Sequence, residues 1–111
     1  MRARLTTVLA TATAVVGIAL AAPAVQAQED SAFDALVFSK TAAFRHASIP
    51  AGVAAVEALG AEHGFTVTAT EDAAAFTDQN LAQYEVEIWL STTGDVLNDK
   101  HQTQFEQYIN A

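Results

Sequence analysis

The sequence predicts an α/β domain built on a parallel sheet, and three observations carry that reading. Strand-like and helix-like segments follow one another as strand, helix, strand, crossover, strand, helix, an order that calls for parallel pairing with right-handed connections. The first strand segment, Ala35-Leu36-Val37-Phe38, is apolar without alternation, the pattern of a strand covered on both faces. The link between the second and third strand segments, Glu71 to Tyr84, is too long for a hairpin and suits a crossover.

Ahead of the domain, residues 1–27 read as an export signal. Arg2 and Arg4 precede an apolar, small-residue run from Leu5 to Ala22, and Val25-Gln26-Ala27 places small residues before a cleavage point. That run is 18 residues long, close to the minimum for a membrane span. Its Thr and Ala content, and its end at Pro23 in place of a basic flank, favour a cleaved signal. The expectation is a secreted protein that starts near Gln28 and has no membrane contact after cleavage.

Within residues 28–111, the segment Ile49 to His63 reads as a helix, with Ile49, Val53, Val56 and Leu59 on one face. Ser48 stands as its cap, Pro50 lies in its first turn, and Gly64 can close it in the left-handed conformation. Phe65 to Thr70 alternates and is rich in β-branched residues, so it reads as the second strand. Asp78 to Ala82 offers a helical turn within the crossover, and Val86 to Leu90 reads as the third strand. The last helix begins near Asn98 or Asp99 and carries Phe105, Tyr108 and Ile109 on one face.

Charge and composition narrow the function. The chain carries a net charge of −8. Without the signal, Lys40, Arg45 and Lys100 stand against all 13 acidic residues, a net charge of −10. Such a balance argues against nucleic acid or anionic lipid as a partner. An 84-residue domain has one small core, and the lack of cysteine removes both disulfides and thiol catalysis.

In an open parallel sheet, ligands gather beyond the carboxyl ends of the strands, where the winding reverses. If the strand order is 2-1-3, the loops after Phe38 and Leu90 open onto one crevice. The first loop offers Ser39, Lys40, Thr41, Arg45 and His46. A guanidinium can clamp a carboxylate, a phosphate or vicinal hydroxyls, and an imidazole can donate, accept or bind metal. By spacing alone, Arg45 and His46 read equally as ligand contacts or as a surface arginine and a capping histidine. The second loop offers Ser91, Thr92, Thr93, the flexible Gly94 and Asp95, the last by spacing a turn residue before a base. Phosphate-loop, dinucleotide and nucleophile-elbow motifs are missing from the sequence. His63 and His101 read as solvated, the clusters Glu29-Asp30 and Glu71-Asp72 read as solvated ends, and a zinc site is not expected. Glu87 stands out, because a strand buried on both faces should not carry an unpaired carboxylate.

The stretches "VFSKTAAFRHASIPAG", "ALGAEHGFTVTATEDAAAFTDQNLAQYEVEIWLSTTGDVLN" and "QTQFEQYI" resemble the N-terminal part of the ThuA-like (trehalose-utilisation) family. The resemblance implies a flavodoxin-like, doubly wound sheet of the class I glutamine amidotransferase type, here about three strands and two to three helices, with no cysteine nucleophile. It also implies a role in handling trehalose-type sugars. The family's Lys-Thr and Phe-Arg-His positions fall on Lys40, Thr41, Phe44, Arg45 and His46, and its hydroxyl loop on Ser91, Thr92, Thr93, Gly94 and Asp95.

The chain departs from the family pattern at Ala43, where glycine is usual, at Ala47, where aspartate is frequent, and at Glu87, where an apolar residue is usual. The resemblance further implies a longer domain, continuing with a glycine-rich strand entry and later aromatic-acidic motifs. On that reading the third strand has an exposed edge open to self-association. Three expectations result: an enzyme-like domain with Arg45, His46 and Asp95 facing a polyhydroxy substrate; a non-catalytic saccharide- or partner-binding module; or a truncated remnant without function. The sequence names neither the sugar, the reaction nor a cofactor.

Overall fold

The structure, a computed structural model, describes residues 30–111 together with Ala14 and Gly17. Apart from those two residues, the expected export signal lies outside the described part. Strand β1 (Asp34–Phe38) is followed by helix α1 (Ile49–His63), strand β2 (Thr66–Thr70), a single 3-10 turn (Ala73–Ala75) and helix α2 (Asp78–Leu81). Strand β3 (Val86–Trp89) and helix α3 (Asp99–Ile109) complete the order. The sheet runs β2-β1-β3, all parallel, with β1 in the centre. This is the flavodoxin-like α/β arrangement expected from the sequence, as an open three-stranded sheet.

The central strand is as dry as its unbroken apolar run demands: Ala35, Leu36, Val37 and Phe38 are all buried. Strand periodicity sends these side chains to opposite faces. Leu36 and Phe38 share a face with their register partners Glu87 and Trp89, while Ala35 and Val37 share the other with Val86 and Ile88. On the first face, Leu36 and Phe38 pack with Phe76, Leu81, Val96 and Leu97, flanked by Tyr84, Phe105 and Tyr108. Phe38, Phe76, Trp89 and Phe105 meet there mostly edge to face, the geometry favoured by the ring quadrupole.

Helix α1 covers the other face. It closes at Gly64, whose φ of 76° lets its N–H reach the Gly60 carbonyl. Ser48 occupies the N-cap position but makes no capping hydrogen bond, contrary to the sequence expectation. Leu59, expected on the buried face, is 47% exposed, and Gly60 is buried in its place. The reason is steric: a Cβ at position 60 would lie 2.7 Å from the Phe65 carbonyl oxygen and 2.8 Å from the Val67 side chain. The helix comes down on β2 at Gly60, and Leu59 turns away.

Other boundaries shift slightly. Phe65 precedes β2 and stacks on Phe33 at 4.6 Å. Leu90 follows β3, and Ile109, expected to share the packed face of α3, is largely exposed. Thr77 and Asn98 supply the caps of α2 and α3, accepting from the N–H groups of Asn80 and His101.

Two glycines of α1 separate close approach from helix propensity. Gly60→Ala should lower the unfolding free energy by about 1–3 kcal/mol, because the new methyl meets backbone that cannot yield. Gly52→Ala should be near neutral when both variants are compared with the parent by urea titration. Its methyl meets only the movable end of Leu90, and alanine regains about 1 kcal/mol of helix propensity.

Candidate functional site

The polar loops after β1 and β3 are joined by backbone at the carboxyl edge of the sheet. Ser39, buried at the end of β1, donates its N–H to the Thr70 carbonyl, and the Leu90 N–H reaches Phe38. Thr41 and Thr93 then form a parallel bridge beyond the strands proper. The Thr93 carbonyl accepts from Ala42 N at 2.7 Å and Ala43 N at 3.3 Å, while its hydroxyl donates to the Phe44 carbonyl at 2.6 Å. Gly94, with φ 73°, lets the chains lie this close, since a Cβ there would sit 3.1 Å from Ala43 N. Ala43 itself is outside the left-handed region, which among the described non-glycine residues holds only Ser91, at φ 50°. Alanine therefore stands at position 43 without backbone strain.

From this ledge the side chains part. Arg45 turns toward β2 and pairs with Glu71, each side chain about half exposed. The pair stands at a crevice of about 450 Å³ lined by Ser39, Arg45, Ile49, Pro50, Thr70 and Glu71 among others. Ile49 and Pro50 open α1, so the positive end of that helix forms part of the wall. His46 is exposed and meets the Phe44 ring edge-on at 4.9 Å. Lys40 and Thr92 are half-buried and Ser91 is exposed. Asp95 lines a different hollow, of about 340 Å³, with Trp89, Leu97 and Phe105. The structure thus unites Thr41 with Thr93, and Arg45 with Ser39 and Glu71, but places Arg45 and Asp95 in separate depressions.

Glu71 is the carboxylate that the sequence reading passed over, as part of a solvated acidic cluster. A signal for it existed: Glu71 follows the last residue of β2 as Ser39 follows β1, so both stand at the carboxyl ends of adjacent parallel strands.

The anomaly at Glu87 has a physical answer. The residue points to the α3 face of the sheet and is only half-buried there, with Trp89 Nε1 3.4 Å from its Oε2 and no partner for Oε1. Burial raises the pKa of its carboxyl, offset in part by the Trp89 N–H. Burial also raises the pKa of the Tyr108 phenol, with the charges of Glu87 and Glu85 adding to the effect. His101, expected to be solvated, is half-buried with Nδ1 unpartnered. Among the described residues, no three His, Cys, Asp or Glu side chains cluster as a metal site would require.

Comparison with known proteins adds a family. The model of the family ThuA, described as trehalose utilisation, matches residues 34–111. No curated protein and no solved structure matches the chain.

The ledge and the buried carboxyl each yield a test. Thr93→Val should cost about 1 kcal/mol of stability through the lost hydrogen bond and should accelerate amide exchange at Ala42 and Ala43, whereas Thr93→Ser should preserve both. Because Glu87 holds its proton more tightly folded than unfolded, its contribution is complete below the ordinary carboxyl value of 4.5 and is lost as pH rises through the higher folded-state value. Glu87→Gln should therefore flatten the fall in melting temperature across that window and leave the variant more stable than the parent at neutral pH.

Proposed function

Because the chain belongs to the ThuA family, described as trehalose utilisation, we propose that it is a secreted carbohydrate-handling domain whose crevice beside Arg45 binds a trehalose-type saccharide. The observation behind this reading is the pairing of Arg45 with Glu71 at the carboxyl ends of β1 and β2, against the apolar wall of Ile49, Pro50 and Val53. A sugar presents hydroxyls around its rim and C–H groups on its faces. A guanidinium donates to hydroxyl oxygens, a carboxylate accepts from hydroxyl protons, and an aliphatic wall takes the C–H face. The crevice volume falls within the range of about 300–1,000 Å³ usual for small-molecule sites.

Binding, in preference to turnover, is the role we assign to these residues. Asp95, the carboxylate that the sequence set beside Arg45, lines another hollow and is not among the residues of the Arg45 crevice. Export is supported by Arg2, Arg4 and the apolar run before Val25-Gln26-Ala27. A mass measurement of protein recovered from medium should show a chain that begins near Gln28.

Isothermal titration calorimetry of the full chain with trehalose should show saturable binding. Arg45→Ala should weaken it at least tenfold, and Arg45→Lys should recover only part, since the ammonium lacks the paired donors. Equal affinity in parent and Arg45→Ala, or no heat of binding in the parent, would overturn the proposal.

A further inference from the structure

The edge of β3 carries features that no element of the described chain satisfies. β3 is an outer strand of the sheet. In a parallel ladder alternate residues turn their backbone groups toward the neighbouring strand. The Leu90 N–H goes to the Phe38 carbonyl and Ile88 lies in register with Val37, so Val86 and Ile88 turn their backbone groups toward β1, while Glu87 and Trp89 turn theirs outward. Beside this edge lies a hollow of about 540 Å³ lined by Tyr84, Glu87, Trp89, Phe105, Tyr108 and Ile109. Trp89 is 36% exposed and Ile109 61%. Within the hollow, Oε1 of Glu87 has no hydrogen-bond partner, and the Trp89 indole N–H makes only a 3.4 Å contact.

We propose that two copies of this chain pair through their β3 edges, antiparallel, about a twofold axis through Ile88. A twofold axis perpendicular to the sheet keeps corresponding faces together, and residues directly opposite in an antiparallel pair point to the same face. The axis must therefore pass through a residue position and not between two. Centring on Val86 or Trp89 wastes half of a four-residue strand. Centring on Glu87 sets two carboxylates opposite each other at about 5.5 Å between Cα atoms, in chains that each carry a net charge of −8.

Centring on Ile88 avoids both faults. Each Glu87 stands opposite the Trp89 of the second copy, the outward N–H and C=O of these two residues bond to each other, and the two Ile88 residues face across the axis as a non-hydrogen-bonded pair. The unpartnered carboxylate oxygen then meets an indole donor, so the polar groups left unmatched in one copy are matched between two. The apolar surface of Trp89 and Ile109 lies alongside the new pairing and adds to the area it buries. β2, the other outer strand, offers no such match, since its corresponding face carries Thr66, Thr68 and Thr70.

The chain has no cysteine, so single cysteines report the register directly. In the full chain, Ile88→Cys places two sulfur-bearing residues on the axis, about 4.5 Å apart between Cα atoms, within disulfide reach. Mild oxidation should convert it largely to a covalent dimer. Val86→Cys puts its cysteines roughly 13 Å apart along the strands and should stay monomeric under the same conditions. A mixture of Glu87→Cys and Trp89→Cys chains should give the mixed disulfide in preference to either homodimer. Sedimentation of the parent chain provides a measurement independent of any substitution and should show reversible dimerisation. A parent that sediments as a monomer at every concentration would overturn the proposal. So would equal crosslinking at 86 and 88, the mark of unspecific association or of another partner's edge.

Discussion

Four consecutive apolar residues, Ala35 to Phe38, leave water only if both faces and both edges of their strand are covered, and most of the molecule answers to that demand. α1 covers Ala35 and Val37, while the crossover, α2 and α3 cover Leu36 and Phe38. β2 and β3 take the two edges. Pairing on both sides satisfies the backbone of the strand at the same time, and at its start the Asp34 N–H donates to the Glu85 carboxylate. The central place of β1 also decides where polar chemistry can stand. Its carboxyl end is the only route by which the chain leaves the core toward α1, and Ser39 marks that exit, buried, with its N–H bonded to β2.

The two polar loops are a consequence of the same arrangement. With β3 beside β1, the segments after the two strands continue side by side and extend the parallel pairing to Thr41 and Thr93. This extension consumes groups that the sequence offered as ligand contacts. The Thr93 hydroxyl is committed to Phe44, and Gly94 serves close approach of the chains before flexibility. What remains free to meet a ligand lies on the β2 side of the ledge, where Arg45 reaches Glu71.

Much of this was legible because periodicity is a direct record of burial. The unbroken apolar run marked β1 as covered on both faces, the α1 boundaries followed from Pro50 and Gly64, and the parallel pairing followed from the order and length of the connections. Glu87 was conspicuous in the sequence for the reason that it is unusual in the structure, a carboxyl in a strand that should be dry. Where the reading went astray, the deciding quantity was a distance across the fold. Leu59 fits the helical spacing, yet the helix approaches β2 through Gly60, and only the contact with Phe65 and Val67 reveals it. Arg45 and Asp95 end loops that do meet, but side-chain direction depends on the path of each loop after the bridge, which no local pattern encodes. Arg45 and Glu71, 26 residues apart, share no motif. Their link is topological, through the adjacency of β1 and β2.

The two sides of the sheet therefore differ in kind. With so few cations in the chain, the position of Arg45 matters more than its exposure suggests. It sits next to the positive end of α1, and Glu71 tempers a local field that would otherwise favour anions over neutral hydroxyls. On the β3 side the balance is reversed: Glu85 and Glu87 stand among Trp89, Phe105 and Tyr108 with no cation paired to either among the described residues. Half-burial there makes the charged form of Glu87 costly, and the cost falls either by taking a proton or by gaining a donor. A neutral, hydroxyl-rich ligand suits the first side and a hydrogen-bond donor with apolar surface suits the second. The chain carries such a donor itself, in Trp89, so one copy holds both halves of the match that its β3 edge requires.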